Sequence, residues 1–198
     1  LKTAIVEARG ECGTHMDTTE PGIPGFTHNL HATWLAHAAS PCIEDLELVS
    51  RFGLENLATE YCYGKTFADG KNVLMGNDPM LTFQSWEKHS EKDGLFIMTA
   101  FDFAMANLEE GTSVFHDFFF GTPSEKNLQK TGSFIERLLK ACNINLTWEQ
   151  IWNMNGFDLI NACVESEYTR TMLQSLTWIA GLPPIHKNVG SLGTIIAL

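Results

Sequence analysis

A mainly α-helical fold, a single domain of about six helices, is predicted by three features of the sequence. Apolar residues recur every three or four positions, capping residues precede several of these stripes, and only the termini look suited to pair as strands. The 198 residues suffice for one core without disulfide staples. With 44% hydrophobic and 19% charged residues, the chain should fold rather than stay disordered.

Residues 10–27, GECGTHMDTTEPGIPGFT, are rich in Gly, Pro and Thr without periodicity, and are expected to form an irregular arm. From His28 to Ala39, Leu30, Trp34 and Ala38 recur every four residues beside Leu35, which predicts a short amphipathic helix. Ser40 then serves as an N-cap and Pro41 as first helical residue of a second helix reaching about Tyr63, with Leu46, Val49, Gly53, Leu57 and Tyr61 along one face. Residues 64–94 form a connecting region, with a hairpin turn at Asp69-Gly70.

The stretch LFIMTAFDFAMANL, Leu95 to Leu108, is apolar around most of its circumference and predicts a central helix stopped by Gly111. Within it Asp102 falls on a narrow polar arc with Thr99, Ala106 and Glu109, as a solvated carboxylate would. In Thr122-Pro123-Ser124-Glu125, Thr122 as N-cap, Pro123 at the first helical position and Glu125 three after the cap signal a helix start, and Leu128, Ile135, Leu138, Leu139 and Cys142 form the stripe that follows. Thr147 with Gln150 gives a capping box, and Asn155-Gly156 breaks that short helix. A long stripe then runs from Phe157 to Ile179 and ends at Gly181 and Pro183-Pro184, completing a helical core over 95–182. Residues 183–198 form a tail, whose GTIIAL could pair with TAIVEA at 3–8 in a small two-stranded sheet.

Net charge is −11, and Arg51, Lys88, Lys92, Arg137 and Arg170 are dispersed, so nucleic acid and anionic membranes are unsuitable partners. No apolar run is long enough for a membrane span, and the chain reads as soluble. It begins at Leu1 without a signal-peptide pattern, which leaves the compartment open. Because Thr147 of the sequon Asn145-Leu146-Thr147 already has a capping role, the reading leans towards an intracellular protein. Cys12, Cys42, Cys62, Cys142 and Cys163 are odd in number and widely spaced, with neither a zinc-knuckle nor a Cys-x-x-Cys pattern.

Three histidines between positions 28 and 37 suggest a metal site, but helical geometry separates them. His28 and His31 lie about 60° apart and His37 about 180° from His28, so a straight helix cannot offer all three to one ion. His31, on the apolar face, is the candidate metal ligand, and hydrogen bonding within the core is its competing role. Any further ligands must come from other helices, and no Glu-x-x-His motif supplies them.

Cys42 sits in a first helical turn, where unpaired N–H groups lower a thiol pKa. Glu44, Asp45 and Glu47 oppose that shift, and the face shared with Val49 and Gly53 predicts burial. His116 and Asp117, set between Phe115 and Phe118-Phe119-Phe120, are expected beside an apolar wall that perturbs their titration.

Ser40-Pro41-Cys42 with the later His116-Asp117 resembles the haem-thiolate peroxidase and peroxygenase family, in which such a tripeptide presents the axial thiolate and a Glu-His-Asp assists peroxide cleavage. The likeness covers only those residues. Phe115 stands where that family has glutamate and Ile43 where it has proline, so membership does not follow.

Nucleophile-elbow, Walker A, Gly-x-Gly-x-x-Gly and His-Glu-x-x-His motifs are absent from the sequence. The leading expectation is a helical enzyme with a metal- or haem-dependent site for a small apolar substrate, using His31 as metal ligand and Cys42, His116 and Asp117 in catalysis. The alternative is a non-enzymatic helical module that binds a hydrophobic ligand or a protein partner through residues such as Phe96, Met98, Phe101 and Trp148.

Overall fold

The computed structural model describes residues 2–4, 6–8, 10, 18–29, 41–179 and 183–188. Mainly α is the class observed, with nine helices rather than about six among the described residues. The chain divides into two compact units, Leu1–Glu55 and Asn56–Leu198.

In the first unit, β1 (Thr18–Thr19) pairs antiparallel with β2 (His28–Asn29), so His28 belongs to a strand and not to the predicted helix. Gly25 makes the reversal between them, with φ at 85° and its N–H donating to Glu20 Oε2 at 3.1 Å. The rest of that predicted helix, 30–39 with His31, lies outside the described residues.

The helix expected from Pro41 to Tyr63 is instead two short pieces, α1 (Cys42–Asp45) and α2 (Leu48–Phe52). Glu47, in the left-handed region at φ 52°, interrupts the ladder, and Gly53 at φ 67° stops α2. Neither piece buries a residue.

The second unit opens with a hairpin of β3 (Tyr61–Thr66) and β4 (Asn72–Gly76), antiparallel with Lys65 opposite Val73 and Gly64 opposite Leu74. Its turn lies at Asp69-Gly70 as expected, with Gly70 at φ 85°. This central pair, not the termini, forms the sheet of the unit; 193–198, the predicted partner of the amino-terminal strand, lies outside the described residues.

α3 (Pro79–Glu87) starts at Asp78, whose side chain accepts from Met80 N, with proline at the head of the helix. Its hydroxyls complete the strand beside it: Leu74 N donates to Ser85 Oγ at 2.8 Å and Gly76 N to Thr82 Oγ1 at 3.0 Å. These backbone donors would otherwise lack partners. A Cβ on Gly76 would stand 2.6 Å from Leu81 Cβ, so the close strand-to-helix approach requires glycine there.

α4 (Glu91–Ala106), capped by Ser90, ends at Asn107, and α5 (Leu108–Phe119) begins at once. Gly111, the predicted stop, lies inside α5. α4 is also less central than its composition suggests: it buries Asp93, Gly94, Phe96 and Ile97, whereas Leu95, Phe101 and Met105 are exposed, as is Asp102 on its expected polar arc.

α6 (Glu125–Ala141) is capped by Ser124, not Thr122, through Asn127 N at 3.1 Å. α7 (Trp148–Asn153) carries the expected Thr147–Gln150 capping box. The long stripe after it is two helices, α8 (Gly156–Cys163) and α9 (Glu167–Ile179), separated because Val164 turns extended. Residues 183–188 return along the α7–α8 joint, with Gly156 N donating to Pro184 O at 2.6 Å.

The core of the unit gathers Val73, Trp86, Phe96, Leu139, Ile151, Leu159, Ile160, Met172 and Leu173. Asp93, fully buried, accepts from Glu165 N at 2.8 Å and Ser166 N at 3.1 Å, which ties the start of α4 to the α8–α9 joint.

Candidate functional site

The predicted site residues belong to different units and are differently engaged. Cys42 opens α1 in the first unit and is exposed, which corrects the expected burial: its supposed neighbour on that face, Val49, is itself 57% exposed. The reason is that α1 and α2 are too short to present a continuous buried face. His31 lies outside the described residues.

His116 and Asp117 belong to the second unit, near the end of α5. They are adjacent in sequence yet differently engaged. The exposed His116 ring stands 5.6 Å from that of Phe120. Asp117 Oδ2 instead accepts from Lys130 Nζ on α6 at 2.7 Å, and the same ammonium donates to Ser113 Oγ one turn earlier on α5. The Lys130 ammonium therefore dominates and holds the Asp117 carboxyl below its ordinary range, rather than an apolar wall setting it. Among the described residues, no group of three or more His, Cys, Asp and Glu side chains could hold a metal ion.

The second unit also contains an apolar cavity. It measures about 290 Å³ and lies against β4, α3, α4 and α6, floored by Phe96, Ile97, Leu139 and Leu159 and flanked by Ala100, Ala104 and Leu138. Exposed Phe101 and Asn77 line it as well and mark its open side. Two alanines one turn apart on α4 leave the room that larger residues would fill.

Its polar side chains are already engaged. Thr82 Oγ1 accepts from Gly76 N at 3.0 Å, and Asn77 Nδ2 donates to Thr59 O. The cavity therefore presents mainly hydrocarbon to whatever enters.

A polar constellation that the sequence reading missed joins the hairpin turn to α9. Tyr168 Oη donates to Asp69 Oδ2 at 2.6 Å and accepts from Lys71 Nζ at 2.8 Å. That nitrogen also stands 4.5 Å from the Tyr168 ring centroid, while His89 stacks at 4.8 Å and Phe67 meets the ring edge-on at 4.9 Å. The Tyr168 hydrogen bond lowers the pKa of Asp69 and raises that of Lys71.

With the phenol hydroxyl held between a carboxylate and an ammonium, the group pins the hairpin tip to α9. The Asp69-Gly70 turn was the one visible sequence signal near it. Compared with known protein families, characterised proteins and solved structures, the chain matches none.

Proposed function

We propose that the unit Asn56–Leu198 binds a small apolar ligand in the cavity beside α4. The observation that carries this reading is an open cavity lined by Phe96, Ile97, Ala100, Ala104, Leu138, Leu139 and Leu159, whose polar side chains already have partners. An uncharged, largely hydrocarbon molecule loses no hydrogen bonds there beyond its own hydration, whereas a charged one would have no counterion in the lining. About 290 Å³ is near the lower end of the usual range for ligand sites, which favours a small molecule over a long acyl chain.

The test is binding of a neutral apolar fluorophore, with Ala104→Phe designed to fill the cavity from α4. Affinity should fall at least tenfold, roughly 1.4 kcal/mol, in a variant that melts as cooperatively as the parent. Equal affinity in the two proteins would remove this cavity as the site.

The enzyme reading, a metal- or haem-dependent site acting on a small apolar substrate, rests on the sequence: on His31, Cys42, His116 and Asp117. Metal analysis and an absorption spectrum of the purified protein separate it from the binding module. Stoichiometric metal or a chromophore, lost in His31→Ala with the fold retained, would favour the enzyme.

A further inference from the structure

Cys142 and Cys163 line one cavity of about 600 Å³, together with Leu95, Phe96 and Thr99 of α4. Cys142 caps the carboxy end of α6 and Cys163 is the last residue of α8. Both residues thus sit at a helix end: α6 gives way to a turn in which Asn143 is left-handed at φ 62°, and α8 to extended backbone at Val164. A small sulfur displacement there does not require breaking a helix interior.

Cys142 is half-buried, its sulfur 3.8 Å from Phe96 O, and it packs against the core cluster that contains the buried Cys163. Burial pushes the Cys142 thiol up to about 11. Burial and then the charge of neighbouring Cys142 push Cys163 up to about 12.

We propose that Cys142 and Cys163 form a modification site, a dithiol that closes to an intrachain disulfide when a hydroperoxide enters their shared cavity. Cys142, the more accessible of the two, reacts first. Its thiolate attacks the terminal oxygen of the hydroperoxide, the O–O bond breaks, and the departing alkoxide takes a proton to leave as alcohol. The resulting Cys142 sulfenic acid is attacked at sulfur by the Cys163 thiolate; the S–O bond breaks, hydroxide leaves as water, and the S–S bond forms. Overall, two thiols lose two electrons and two protons, and the hydroperoxide takes both to become alcohol and water.

The chemistry sets the rate. A thiol that titrates near 11 is about one part in ten thousand thiolate at pH 7, so the pair withstands brief oxidant exposure. Its oxidation should quicken about tenfold per pH unit until the titration of Cys142 is approached.

The test treats the full chain with tert-butyl hydroperoxide across neutral to alkaline pH, alkylates residual thiols in denaturant and maps peptides without reduction. The expected product is a Cys142–Cys163 crosslinked peptide, two hydrogens lighter than the reduced pair, forming with that steep pH dependence. In Cys163→Ala, Cys142 should stop at the sulfenic acid and be trapped by dimedone. A crosslink from either cysteine to Cys62 or to a second copy, or both thiols still open to alkylation after prolonged exposure at the alkaline end of the range, would overturn the proposal. The wild-type map decides the matter even if Cys163→Ala does not fold.

Discussion

Two stretches carry apolar stripes at helical spacing, 41–63 and 124–142, and they end in opposite states. The second becomes α6, a seventeen-residue helix that buries Thr131, Gly132, Phe134 and Leu139. The first becomes α1 and α2, four and five residues long, with Leu46, Val49 and Phe52 all exposed. A stripe is thus insufficient by itself. α6 has a serine cap and packs through Gly132 against Trp148, while the earlier stretch is interrupted by the left-handed Glu47 and buries no side chain in either piece. Helices this short gain little from their own hydrogen bonds, so buried contacts decide whether a stripe becomes a long helix.

The largest test of this contrast is truncation on the two sides of it. Leu139→Ala in α6 should cost about 2–5 kcal/mol in denaturant unfolding, against less than about 0.5 kcal/mol for Val49→Ala in α2. A comparable cost for Val49→Ala would show that the first unit relies on packing as much as α6 does.

Next in size is the close approach at α6. A Cβ on Gly132 would stand 2.5 Å from the Trp148 indole, so Gly132→Ala should destabilise by about 1–3 kcal/mol and alter the near-ultraviolet circular dichroism of the tryptophans. Exposed Ser133 beside it provides the control, since Ser133→Ala should unfold close to the parent.

Smaller still is the cap of α7. Thr147→Ala removes the acceptor for Gln150 N and should lower stability by about 1 kcal/mol, read from the midpoint and slope of a urea titration. Thr122→Ala should do less, since Ser124 caps α6.

The smallest effect is the pH dependence of the α5–α6 contact. Asp117 is held below its ordinary carboxyl value, chiefly by the hydrogen bond from Lys130. The unfolded chain therefore protonates this group more readily than the folded one. Its contribution is fully present above the unfolded value and is lost as pH falls through the lower folded value, that is, below about pH 4. Melting temperature should fall less steeply in that acid range for Lys130→Met than for the parent.

The helical class, the hairpin turn at Asp69-Gly70 and the Thr147 box were legible because each depends on residues close in sequence. The strands beside that turn were not, since β4 is completed on its other side by Ser85 and Thr82 of α3, a match that only the fold supplies. The stretch 41–63 forms only short helices because its periodic apolar residues find no packing partners to bury them. Exposed Leu95, Phe101 and Met105 show the converse limit, that an apolar run does not specify how many of its faces will be covered.

The site was legible only in outline. Hydrophobic residues around Phe96 were visible as candidates, but the space left by Ala100 and Ala104 was not, because a void is a property of packing. Cys142 and Cys163 looked unrelated for want of a spacing motif; both line one cavity because α6 and α8 end beside it.

Asp93 has a consequence for the order in which the second unit assembles. Its two acceptor bonds reach backbone 72 and 73 residues further along the chain, and closing so long a loop costs about 4 kcal/mol in chain entropy. Two charge-assisted bonds of about 1.5–3 kcal/mol each do little more than offset that cost, so they cannot draw the segments together in advance. They are expected to form once Phe96 and Ile97 of α4 share a core with Leu159 and Ile160 of α8, and then to act as a latch that slows departure from the native state more than it hastens arrival there.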